Sequence, residues 1–205
     1  MLIQLLFVNP VLFLMVAVAI IFAISIHEYS HAQMAYFLGD STAKYQGRLT
    51  LNPLAHIDPF GTILLFIVGI GWGKPVPFNP YNLRSQKWGP ALVSLAGPLS
   101  NFLIALIVGL PLRFLELSVP GLVTFLSIFV LLNINLGVFN LIPIPPLDGS
   151  HLFFALFPSL ENMKTSFFRG NPLLVLVVIL LMAFVISPLI CESLYALITG
   201  MSLSF

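Results

Sequence analysis

Apolar residues in this chain fall in blocks too long for the interior of a soluble domain, separated by stretches rich in proline, glycine and charge. The first block opens at Asn9-Pro10, an N-cap candidate followed by proline at the first helical position, and closes at Leu38-Gly39, where glycine offers a C-terminal cap. Residues 10–38 are therefore predicted as one helix of roughly 43 Å, enough to cross a hydrocarbon core of about 30 Å and project beyond it. Ala91 to Leu112, Gly121 to Leu141 and Pro172 to Thr199 also reach spanning length, the last with a kink or break expected at Pro188. The stretch at 60–73 is interrupted by Gly61, Gly69, Gly71 and Gly73 and is too short for a comfortable crossing, so a membrane-dipping hairpin or short strand pair is expected there. The pattern predicts an all-α polytopic membrane protein, a single membrane-embedded domain over 1–205, with about four main transmembrane helices and a proline-broken helix at 140–149.

Composition agrees. Of 205 residues, 59% are hydrophobic and 7% charged, with a mean hydropathy of +1.07, against about 25% charged in soluble domains. The net charge is +1 and no basic run occurs, so nucleic acid is not expected as a partner. The lone Cys191 closes no intrachain disulfide. No Lys or Arg precedes the first apolar block, so that block is expected to stay in the protein rather than act as a cleaved signal peptide.

The first block carries His27-Glu28-Tyr29-Ser30-His31 in its second half. Two His four apart share a helix face and reach one zinc, while Glu28 is placed to act on a metal-bound water. Ionisable groups at membrane depth are expensive and are kept where they function, so three within five residues mark a site. A catalytic zinc commonly takes three protein ligands, and a carboxylate is acceptable beside two imidazoles. Asp148 is the evident candidate. It follows Asn140 to Leu147, where Pro143, Pro145 and Pro146 remove backbone donors and oppose a helix. Irregular backbone at membrane depth is tolerated where it lines a cavity, and an extended one can pair with an unwound substrate segment.

Loop charge gives the orientation, because Lys and Arg near helix ends favour the cytoplasmic side. If 60–73 does not cross, Lys44, Arg48, Lys74, Arg84, Lys87, Lys164 and Arg169 share one side against Arg113 alone; if it crosses, the split is five against three. The first arrangement is preferred, with both termini outside and 40–90 cytoplasmic. His27 and Asp148 then both lie about 15 Å inside the cytoplasmic ends of their segments, so one ion can meet both.

Taken together, His27 to His31 and Asn140 to Gly149 resemble the paired H-E-x-x-H and N-x-x-P-x-P-x-L-D-G motifs of the site-2 protease family of intramembrane zinc metalloproteases. Gly47 to Gly61 (GRLTLNPLAHIDPFG), Gly71 to Pro80 (GWGKPVPFNP) and Ala96 to Asn101 (AGPLSN) also look like its short members, so the resemblance runs through most of residues 20–155. It implies one zinc ion on His27, His31 and Asp148, with Glu28 as the catalytic base. It also implies a transmembrane protein substrate cut within or near its span in the cell membrane. Asn140 and the extended 141–147 backbone, with Pro145, are expected to hold that substrate. The family's appended PDZ or CBS domains have no room in this length. Neither motif nor composition speaks to oligomeric state.

Blander readings stand beside these. Asp148 is also suited to cap the helix after the proline loop. His151, three residues on, is a rival ligand or a partner of one, although the resemblance selects Asp148. His56 suits a loop hydrogen bond. Asn101 suits a bond to a neighbouring helix, or lining of the cleft. Gly97, Pro98 and Ser100 suit close helix packing, and Trp72 and Trp88 suit interface anchoring. Cys191 and Glu192 form no recognisable motif. A transporter would also keep charge at depth but is expected to show internal repeats, which are not seen. A catalytically silent scaffold would ordinarily lose a ligand or the base, and all four positions are intact.

Overall fold

The computed structural model describes residues 2–69, 71–163 and 170–202. Among them are four helices long and apolar enough to cross a membrane: Pro10–Phe37 (α2), Gly89–Phe114 (α5), Pro120–Asn140 (α6) and the continuous stretch Pro172–Thr199. The last consists of α9 (Pro172–Leu181), a π-helical turn (Met182–Ile186) and α10 (Ser187–Thr199). Pro188 has no N–H to give to the preceding turn, and the helix absorbs that loss by widening just before it rather than breaking.

The boundaries of α2 follow the capping rules. Asn9 Oδ1 accepts from Leu12 N at 3.1 Å, Pro10 stands at the first helical position, and Gly39 follows the C-cap Leu38 with φ +107°. A further short helix, α1 (Leu2–Val8), precedes it; the sequence reading started the helical region only at residue 10.

α2, α5 and α6 pack against one another, and α10 packs on α5 and α6. The buried positions of α2 are small: Ala19, Ala23, Ser25, Ala32 and Ala35 beside the two His. In lipid, burial of apolar surface gives helices no reason to associate, so small residues that let backbones approach take over that role. A larger apolar cluster of Ala105, Val130, Ile134, Val138, Cys191, Tyr195 and Ile198 joins α5, α6 and α10.

The expected hairpin at 60–73 is not formed. Pro59–Val68 is an α-helix (α4), about 15 Å long and so too short to span. Asp58 Oδ1 accepts from Gly61 N at 2.7 Å, Pro59 opens the helix, and Gly69 closes it in the left-handed region at φ +89°. These are helix signals at both ends, and they outweigh the glycines read as strand or turn breakers. Strand-like pairing is confined, among the described residues, to one bridge between Ile57 and Gly73. Ile70, Lys164 and Arg169, parts of the dipping-segment and charge-bias expectations, lie outside the described residues.

The remaining helices are short: α3 (Thr42–Tyr45), α7 (Gly149–Leu156) and α8 (Glu161–Met163). α6 ends at Asn140 and α7 starts at Gly149, so the proline segment breaks the helix as expected. It is not extended, however. Its amides close tight turns, Ile144 N to Ile142 O at 2.8 Å and Leu147 N to Ile144 O at 2.9 Å. The 71–79 segment carries no helix or turn, and Gly73 within it bridges Ile57.

Asp40, buried just past α2, pins that segment. Its carboxylate accepts from Asn79 N at 2.6 Å, Asn82 Nδ2 at 3.0 Å, and Thr42 Oγ1 and N at 2.6 and 3.1 Å. Burial pushes this carboxyl up, but the bonds from Thr42, Asn82 and Asn79 outweigh it and hold it below the ordinary carboxylate range. The stabilisation is therefore whole above about pH 4 and is lost as pH falls through the lower folded-state value. Asp40→Ala is expected to cost about 3 kcal/mol near neutral pH, since it strands buried donors, and to open 71–88 to limited proteolysis. Thermal unfolding in detergent with protease mapping checks this; wild-type stability and protection would remove Asp40 as the anchor.

Candidate metal centre

Helical spacing puts His27 and His31 on one face of α2, one turn apart, with ring centroids 4.6 Å apart. Their Nε2 atoms are 3.0 Å from each other, and each is 3.2 Å from Asp148 Oδ2. These three residues, offering atoms within 4.8 Å of one another, make the group among the described residues that suits a metal. His151 is not part of it.

Both rings are held from behind by α5. His31 Nδ1 lies 2.7 Å from Val93 O, and His27 Nδ1 lies 2.6 Å from Asn101 Oδ1. A carbonyl only accepts, so His31 carries its hydrogen on Nδ1 and presents a bare Nε2. With His27 in the same state, two imidazole lone pairs and a carboxylate oxygen face one point. Three acceptors so placed repel one another until a cation stands among them. Their spacing fits zinc: two nitrogens 2.0–2.1 Å from one tetrahedral metal lie about 3.3 Å apart.

The centre opens into a cavity of about 500 Å³ lined by Glu28, Asn140, Pro146, Leu147 and His151 among others. Of the residues expected to hold substrate, Asn140 is in this wall and Pro145 is not; Pro146 and Leu147 stand there instead. Asn140 Nδ2 donates to Leu136 O at 3.0 Å.

The 71–79 segment also lines the cavity, with Gly71, Trp72, Gly73, Pro75, Val76 and Phe78. Val76 N donates to Glu28 Oε2 at 3.0 Å, fixing one oxygen of the carboxylate beside the centre. The segment is itself tied down, by Lys74 N to His56 O at 2.8 Å and by the buried Arg48 guanidinium donating to Lys74 O. Burial lowers the hold of Arg48 on its proton, and the Glu28 charge opposes that. His56 is buried with Nε2 2.7 Å from Thr50 O, the loop hydrogen bond expected of it. The Glu28 clamp and the Val93 carbonyl were not read from the sequence, because backbone groups of distant segments leave no residue signature.

The resemblance of the motifs is matched by comparison with known proteins. Residues 115–185, which include Asp148, match peptidase family M50. Over 149 residues the chain is 44% identical to YwhC of Bacillus subtilis, the match covering 69% of this chain and 68% of that protein. The chain belongs to peptidase family M50. It is also 31% identical over 144 residues to Rip2 of Mycolicibacterium smegmatis, covering 67% of this chain and 55% of Rip2. YwhC and Rip2 are both named, provisionally, as zinc metalloproteases. The zinc metalloprotease MJ0392 of Methanocaldococcus jannaschii is 27% identical over 146 residues, spanning 34% of its length. No solved structure matches the chain. Membership of M50 and the four apolar helices make this chain a membrane metalloprotease.

Gly97 of α5 is more than a packing residue in this M50 site. A Cβ there would lie 2.4 Å from His31 Nε2 and 2.7 Å from His27 Cε1. Gly97→Ala is expected to push the rings apart and weaken metal binding by at least about tenfold, the scale seen when groups orienting a ligand are lost. Metal content by elemental analysis after dialysis against a buffered zinc series checks it; wild-type uptake would overturn it.

Proposed function

We propose that this chain is an intramembrane zinc metalloprotease that cuts peptide bonds within or near the transmembrane segments of other membrane proteins. His27, His31 and Asp148 hold one zinc ion and Glu28 is the general base. The observation that carries this reading is the convergence of those three donors and Glu28 on one cavity between membrane-length helices. The zinc in the names of YwhC, Rip2 and MJ0392 supports the choice of metal.

The chemistry zinc supplies in such a set is Lewis acidity toward a carbonyl oxygen and toward water. The protein does the rest. Glu28 Oε2 is held by Val76 N, which leaves Oε1 to take a proton from water and pass it to the leaving amine. Asn140 donates one Nδ2 hydrogen to Leu136 O, which leaves Oδ1 to accept from a substrate N–H and the second Nδ2 hydrogen to donate to a substrate carbonyl. A substrate helix hides its peptide bonds in its own hydrogen bonds and must unwind to be cut. The 71–78 wall, free of helix and turn and already bridged to Ile57 at Gly73, suits pairing with an unwound partner better than the turn-rich 141–147 backbone.

The centre lies toward the C-terminal end of α2 and the N-terminal half of α5, the end from which the 38–88 segment projects. That segment carries Lys44, Arg48, Lys74, Arg84 and Lys87, which supports a cytoplasmic-side site in the cell membrane and water entry from that side.

The test uses purified protein in liposomes with a set of single-span membrane proteins. Chelation is expected to abolish cleavage and zinc to restore it. Glu28→Gln is expected to keep zinc and lose about 10²–10⁴-fold in rate. Cleavage that survives chelation, or a Glu28→Gln enzyme as fast as wild type, refutes the reading.

A further inference from the structure

Two asparagines sit wholly buried in the apolar interior beside the centre, Asn101 on α5 and Asn133 on α6. A buried amide in a membrane bundle is costly unless its hydrogen bonds are met, and here they are met in one sequence. Asn133 Nδ2 lies 2.8 Å from Phe129 O, one turn back on α6. Asn133 Oδ1 lies 2.8 Å from Asn101 Nδ2, which is also 3.3 Å from Ala23 O on α2. Asn101 Oδ1 lies 2.6 Å from His27 Nδ1.

The direction of this chain is set by chemistry. Amide nitrogen and oxygen are hard to tell apart by shape, so the assignment rests on partners. Phe129 O and Ala23 O are backbone carbonyls and only accept. The NH₂ end of each asparagine must therefore face its carbonyl. Asn133 Oδ1 is left to accept from Asn101, and Asn101 Oδ1 is left to accept from His27. His27 then carries its hydrogen on Nδ1 and turns an unprotonated Nε2 toward His31 and Asp148. His31 reaches the same state directly through Val93 O.

We propose that Asn133, acting through Asn101, is a positioning residue that fixes the tautomer and ring orientation of His27 for metal binding. It touches neither the metal donors nor the cavity wall, and no motif contains it. The proposal rests on the metal-centre reading above. Without Asn133, the Asn101 NH₂ loses the shorter of its two bonds and keeps only the 3.3 Å contact with Ala23 O, so the amide is held less firmly, and a flipped Asn101 would offer His27 a donor in place of an acceptor. A flipped amide favours the tautomer with hydrogen on Nε2, where the ion belongs.

Zinc affinity of the full chain in detergent, by competition with a chromophoric chelator, tests this, with the visible spectrum of the cobalt(II) form as a second readout. His27→Ala is the control: unchanged affinity in that variant would refute the metal-centre reading itself, independently of what Asn133 does. Asn133→Leu removes both bonds. Asn133→Thr fills nearly the same space and keeps a hydroxyl for Phe129 O, but its side chain is too short for Asn101, so it serves where the leucine variant fails to fold. Each is expected to weaken zinc binding about 10–100-fold and to shift the cobalt(II) bands. In an Asn101→Leu background, adding either change is expected to cost nothing further, since both residues act along one path. Folded Asn133→Thr protein with wild-type zinc affinity and cobalt(II) spectrum would overturn the proposal. So would losses that add in the double variant, which would make Asn133 a brace between helices and nothing more.

Discussion

At Gly97 the backbone of α5 comes so close to α2 that a methyl group there would sit 2.4 Å from His31 Nε2. The same approach brings Val93 O, one turn earlier, to His31 Nδ1, and Asn101, one turn later, to His27 Nδ1. Packing and chemistry are thus one constraint. In a bilayer, small residues are what allow helices to touch. Here they also let a backbone carbonyl and a carboxamide reach the rings that carry the donor atoms. A wider spacing of α2 and α5 would take those acceptors out of reach together.

A second set of ties holds the other side of the cavity. Glu28 stands on α2, but its carboxylate is fixed by a backbone amide from 71–79, and that segment has almost no secondary structure of its own. It is held by Asp40 at one end and by Arg48 and His56 near its middle. An irregular wall lets substrate approach, while these ties keep it stiff enough to aim a base.

Much of this was legible in the residues, and the rest was not for identifiable reasons. Helix ends were readable where a cap, a proline and a glycine agree, as at Asn9, Pro10 and Gly39. The same signals stand at Asp58, Pro59 and Gly69, where they prevail over the glycines that break up 60–73. The convergence of His27, His31 and Asp148 is legible because charged groups within apolar blocks are conspicuous. Prolines forbid a helix at 141–147 but do not choose between turns and an extended path, and packing after α6 chose turns. Asn101 bonds neighbouring helices as its type suggests, at Ala23 O and Asn133, and it also accepts from the ring of His27. Neither Asn133 nor Val93 O was expected, since a single amide or a carbonyl says nothing until a fold sets it opposite something.

The donors of the centre come from far apart along the chain, His31 and Asp148 being 117 positions apart. An ion gripping both is a staple across a very long loop, and such clips gain the most from the chain entropy they remove. It fastens the first crossing to the break after the third, where the proline turns have little regular structure to hold them in place. An ion that binds the assembled fold and not the unfolded chain would draw the equilibrium toward that fold by mass action. On that reading the supply of zinc would bear on how firmly the protein is put together and not on chemistry alone.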